Sequence, residues 1–108
     1  MGIVTAYNPR SSRLTVPENA GRNEQLSEEL ARRGLTFYPS LATDPTTTDS
    51  SWDEPGFAVI RAPFGEVVRI AADLDQNAIV WVDSHDVARL VVTRAGFCGG
   101  SPGEFLPL

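Results

Sequence analysis

The sequence predicts an α+β domain, a ferredoxin-like βαββαβ sandwich with an extra C-terminal strand and two helices on one face of a mainly antiparallel sheet. Three observations predict it. Short β-branched and apolar runs alternate with two longer stretches whose apolar residues recur at helical spacing. Residues 77–82 are nearly all apolar, which suits a strand at the centre of a sheet. Asn8-Pro9, Gly34 and Asp83-Ser84-His85-Asp86 punctuate the chain where such elements should end.

In order, Ile3-Val4-Thr5-Ala6-Tyr7 reads as the first strand, halted by Asn8-Pro9. Residues 10–14 are a polar loop. Thr15-Val16-Pro17-Glu18 has the spacing of a capping box, with proline early in the helix where its missing N–H is harmless. That helix should run to about Arg33 and stop at Gly34, with Arg32 and Arg33 complementing its dipole. Residues 35–41 predict a second strand, and Pro39 places it at an edge. A loop rich in Thr, Asp, Ser and Pro fills 42–55. A short third strand follows at 57–61. After Pro63 a helix over 64–75 puts Val67, Ile70, Ala71 and Leu74 on one face. The fourth strand, 77–82, turns through Asp83–Asp86 into a fifth at 87–93. The reading is one domain at 1–94 and a Gly/Pro-rich tail at 95–108, which nonetheless carries Phe97, Phe105, Leu106 and Leu108.

Composition excludes several function classes. An apolar fraction of 42% argues against wholesale disorder, and no run of about 18 apolar residues could span a membrane. The N-terminus lacks the basic and apolar regions of a signal peptide. One cysteine, Cys98, permits no internal disulfide, so the cytoplasm is the expected compartment. All nine basic residues are arginine, a bias that fits a GC-rich bacterial or phage genome. Residues 41–86 carry nine acids against two arginines, which disfavours direct nucleic-acid binding and suits a basic protein surface.

The string Thr5-Ala6-Tyr7-Asn8-Pro9, then Glu18-Asn19 with Arg22-Asn23, resembles the start of the bacterial domain of unknown function 3293. Gly34-Leu35-Thr36-Phe37-Tyr38-Pro39, Glu54-Pro55-Gly56-Phe57 and Gln76-Asn77-Ala78-Ile79-Val80 continue the likeness in order, over roughly residues 3–92. The resemblance implies a small stand-alone bacterial domain and transfers no activity or site. The Thr-rich loop at 44–51 and the tail lie outside it.

Chemistry is sparse. Asn19, Asn23, Leu26 and Leu30 share one face of the first helix, so the core-facing leucines draw the two asparagines to the core's margin. Asn8 should lie nearby, and Gln76 and Asn77 enter strand four beside strand one, at the same end of the sheet or at the opposite one. The plainer reading is that these amides satisfy loop and helix-end backbone groups. The sharper one is a small polar pocket for an anion or nucleotide fragment, with Asn8, Arg10, Asn19, Arg22 and Asn23 as ligand-binding candidates and Arg13 also at hand. Ser84-His85-Asp86 holds triad residue types, but three consecutive turn residues point apart. One His and one Cys cannot build a zinc site, Asp73, Asp75, Asp83 and Asp86 match no EF-hand, and no cofactor is expected. Asp49, Trp52, Asp53, Glu54 and Phe105 are candidates for contact with a protein partner, with Trp52 either an aromatic anchor ringed by acids or a cap on the domain's own core under the loop. Two functions are therefore expected to compete. The first is a non-enzymatic module of bacterial or phage origin that binds a protein, as an inhibitor of a host defence or nucleic-acid-handling complex would. The second is a small-molecule or nucleotide-binding protein or enzyme. Self-association through the tail is compatible with both.

Overall fold

The computed structural model describes residues 1–43, 46 and 53–106. Six strands and two helices follow one another as β1 (Gly2–Val4), α1 (Val16–Arg32), β2 (Thr36–Ala42), β3 (Glu54–Ile60), α2 (Phe64–Asp73), β4 (Ala78–Val82), β5 (Ala88–Val92) and β6 (Phe105–Leu106). Single turns of 3-10 helix lie at Pro9–Ser11 and Phe97–Gly99. The chain is thus α+β, with one six-stranded sheet in the order β2-β3-β1-β4-β5-β6 and every neighbouring pair antiparallel.

Local chemistry accounts for the ends of α1. Thr15 accepts from the Glu18 N–H, and Glu18 reaches back to the Thr15 N–H, so the capping box closes in both directions. Gly34 sits at φ 71, the left-handed position that ends a helix without a Cβ penalty. Leu26 and Leu30 are wholly buried, each contributing about 1.5–3 kcal/mol by area removed from water. They meet Val4, Val59, Val67, Ile70, Ala71, Ile79 and Val91 in a core between the sheet and the two helices.

Alternation along the strands then assigns the faces. Gly2 and Val4 point to the helices, and a Cβ on Gly2 would lie 2.7 Å from the Val67 side chain of α2. Ile3 therefore points to the opposite face, in register with Ala58 on one side and Val80 on the other. Leu90 and Leu106 continue that row across the sheet.

Besides β1 ending at Val4 rather than Tyr7, two differences from the sequence expectation concern strands. β3 begins at Glu54 rather than 57. β1 pairs only as far as Val4 opposite Phe57, so residues 54–56 have β2 on one side and no ladder on the other. Pro55 there costs little, as at a true edge. The second difference is β6. Phe105 and Leu106 pair with Val91 and Leu90, so the sheet gains a sixth strand and its full order differs from the expected one. Phe105 also stacks on Phe64 at a centroid distance of 5.2 Å, and Phe64 meets Trp81 edge-on at 5.0 Å. This aromatic contact supplies a reason for the short strand to dock that no local pattern carries.

Candidate functional site

The end of the sheet where β1 exits, β3 begins and β4 begins is built from amides. Asn19 and Asn23 project from the first turns of α1 and are nearly buried. Asn23 Oδ1 accepts the Ala6 N–H at 3.0 Å, and its Nδ2 donates to the Pro55 carbonyl at 2.8 Å. Asn19 Oδ1 accepts the Asn8 N–H at 2.8 Å, while its Nδ2 donates to Asn8 Oδ1 at 2.9 Å. Asn8 Oδ1 also accepts the Leu14 N–H. The helix therefore holds the chain leaving β1 through its backbone groups, where a loop would otherwise bury unmatched donors at about 1–3 kcal/mol each.

Arg22 works in the same way. Its Nε donates to the Ala6 carbonyl at 2.7 Å and its Nη2 to the carbonyl of Leu74, the residue that caps α2. A cation at that carbonyl end suits the α2 dipole. Arg10 makes an exposed ion pair with Asp75 at 3.3 Å, and its N–H donates to the Asp75 carbonyl. Gln76 Nε2 donates to the Tyr7 carbonyl at 3.0 Å, and Thr93 Oγ1 donates to the Gln76 carbonyl. Of the ligand candidates, the structure gathers Asn8, Asn19, Arg22 and Asn23 into one network whose hydrogen bonds run largely to backbone. Arg10 lies at its rim.

Glu54 changes the character of this end. The sequence pattern puts it on a loop, yet it is the first residue of β3 and half-buried. Asn8 Nδ2 donates to its Oε1 at 3.2 Å. No arginine or N-terminal amine among the described residues forms an ion pair with it. Burial pushes its carboxyl above the ordinary value, and the Asn8 amide draws it partway back. Beside it opens a hollow of about 360 Å³, lined by Thr5, Asn8, Glu54, Gln76 and Asn77 with Ala78 and Phe97. A second hollow of about 130 Å³ shares Thr5, Glu54 and Ala78 and runs over Ile3, Val80 and Leu90 on the face away from the helices.

The other candidates are dispersed. Asp49 and Trp52 lie outside the described residues. Asp53 borders a hollow on the other side of the Asn8 turn, with Tyr7, Arg13 and Leu41. Phe105 lies on β6, four strand spacings or roughly 19 Å from Glu54 across the sheet. It packs toward α2, with the Arg89 guanidinium 5.9 Å from its ring centre. The acidic middle is likewise divided. Asp75 stands near the Asn8 turn with Arg10, whereas Asp83 stands at the opposite hairpin with Arg89. Ser84, His85 and Asp86 are exposed at that hairpin, which Asp83 organises by accepting the His85 and Val87 N–H groups. Among the described residues no three His, Cys, Asp or Glu side chains are placed to hold a metal. No described helix is long and apolar enough to cross a membrane.

Sequence reasoning missed Thr5 and Phe97, and it assigned Glu54 to a different surface. Two signals were available: Glu54 precedes a proline at a strand start, and Thr5 ends the alternation of β1. The family described as "Protein of unknown function (DUF3293)" matches residues 4–79, a span that includes every polar residue of the hollow. No curated protein and no solved structure matches the chain.

Proposed function

This chain belongs to the DUF3293 family, and from that premise we propose that it is a non-enzymatic binding domain whose small-molecule ligand enters the hollow beside Glu54. The carrying observation is a half-buried carboxylate, without an ion-pair partner among the described residues, set in a concave site with three amides and a hydroxyl. Concave sites with a few convergent polar groups are where ligands bind. A shifted carboxyl in such a site adds to the argument. Among the described residues of the hollow no nucleophile is hydrogen-bonded to a base, since the Thr5 hydroxyl donates to the Pro55 carbonyl, and this favours binding over catalysis.

The ferredoxin-like description of the first six elements belongs to this proposal. It is supported by β3 lying between β1 and β2, with β4 on the far side of β1. A second functional reading is a cytoplasmic protein-binding module of bacterial or phage origin, inhibiting a host defence or nucleic-acid-handling complex through an acidic surface. Tyr38 and Leu41 favour it, because both are more than half exposed on the edge strand β2.

Native mass spectrometry of gently purified protein separates the two. The pocket reading expects a bound mass of roughly a few hundred daltons. An Ala78→Phe variant, which fills the hollow, should lose that mass while its circular dichroism is unchanged. A stoichiometric protein partner and no small mass would transfer the assignment to the second reading.

A further inference from the structure

We propose that the ligand is an amphipathic cation: a protonated amine or amidine set against Glu54, and a flat apolar body laid along the sheet over Ala78, Ile3 and Val80. This rests on the pocket reading above and names the chemical class it would take.

Charge decides the head. Glu29, Glu66 and Asp83 are, like Glu54, only partly exposed, and each is matched by an arginine at 2.5–3.4 Å. Glu54 has one amide donor and no arginine among the described residues. A carboxylate offers about four acceptor positions, so one donor leaves room for more. A desolvated anion gains most from a cation that also donates hydrogen bonds. An anionic ligand would meet Glu54 in a hollow whose lining includes no arginine. The nearby Arg22 is committed to the Ala6 and Leu74 carbonyls.

Shape decides the body. The hollow holds about 360 Å³. At ~30 Å³ per water it is the room of about a dozen waters, enough for a small ring and its head but not for a folded segment. The smaller hollow continues from Glu54 and Ala78 over Ile3, Val80 and Leu90. Glu54 is the charged residue common to the two hollows, and the rest of the second lining is apolar apart from Thr5 and Ser40. A ligand anchored at Glu54 therefore lies with one end among amides and the other on a flat apolar surface. Phe97 adds an aromatic ring to the wall, which favours a cation over a neutral head.

The test uses one ring with three heads. The full chain is titrated with tryptamine (cationic), tryptophol (neutral) and indolepropionate (anionic) while its amide NMR spectrum is followed. Tryptamine should shift the Asn8, Gln76 and Asn77 side-chain amides and the Ala78 and Val80 backbone amides, and should bind about tenfold more tightly than either analogue. Glu54→Gln keeps an acceptor for Asn8 Nδ2 and leaves the spectrum dispersed, and it should erase the preference for tryptamine. Should tryptophol or indolepropionate shift the same residues as tightly, the cationic class fails while the pocket stands. Absence of shifts at these residues with all three probes also overturns the class, and the mass measurement then decides the pocket separately.

Discussion

Burying a carboxylate without a matching cation costs stability, and Glu54 carries that cost on its own. Its folded carboxyl titrates above the ordinary value because burial disfavours the charge. The folded state therefore holds a proton that the unfolded state has released, over the interval between the two titration points. Glu54's contribution to stability is complete below the unfolded value and is lost as pH rises through the folded one. Glu54→Gln, permanently neutral and still able to accept from Asn8, should melt higher than the parent at about pH 8, with the gap closing toward about pH 3.5. Thermal melts of both proteins across that range check this, and a gap that widens on acidification would contradict the burial account. Residues of this kind were only half legible. Asn19 and Asn23 were placed correctly because helical spacing tied them to Leu26 and Leu30. Glu54 was not, because its partner Asn8 is 46 positions away and Pro55 reads as a loop.

At the scale of the element, α1 does two jobs with one face. Its C-terminal half buries Leu26 and Leu30, while its N-terminal half spends Asn19, Arg22 and Asn23 on the chain that leaves β1. Both ends were readable, since Thr15, Glu18 and Gly34 are local signals whose physics needs no distant partner. The targets of the asparagines were not readable, because backbone groups of residues 6–14 have no signature in side-chain identity. Asn23→Ala should orphan the Ala6 N–H, whereas the Pro55 carbonyl keeps the Thr5 hydroxyl at 2.7 Å. The expected loss is therefore that of one buried donor, about 1–3 kcal/mol. Denaturant unfolding measures it. A cost within about 0.5 kcal/mol, the range of ordinary surface substitutions, would mean that the clamp is ornamental. The same variant should also loosen the Asn8 turn and weaken ligand binding indirectly, by displacing a wall of the hollow rather than by removing a contact.

On the scale of the whole molecule, the sheet is asymmetric at its two edges. β2 is seven residues long and carries Pro39 and the exposed Tyr38, a strand whose own composition limits pairing. The opposite edge depends on the stretch after β5. Val92 N–H donates to the Glu104 carbonyl and Gly103 N–H to the Val92 carbonyl, extending the pairing past β6. Gly100 approaches so closely that a Cβ there would lie 2.8 Å from the Val92 side chain. Val92 is fully buried beneath this stretch, whereas Val91 lies in the core under the helices. Composition read this stretch as a tail because Gly and Pro dominate it, and a two-residue strand offers too short a pattern to find. Deleting residues 95–108 should strip β5 of its outer partner, expose Val92 and unstack Phe64. It should lower the melting temperature and produce self-association that rises with concentration, through the bared β5 edge, in light scattering. Phe105→Ala separates the causes, since it removes the stack on Phe64 while leaving the backbone pairing. It should lower the melting temperature less and remain monodisperse. If the deletion melted with the parent and showed no added association, neither the edge nor the burial of Val92 would depend on this stretch. β6 would then be a consequence of the fold rather than part of what holds it.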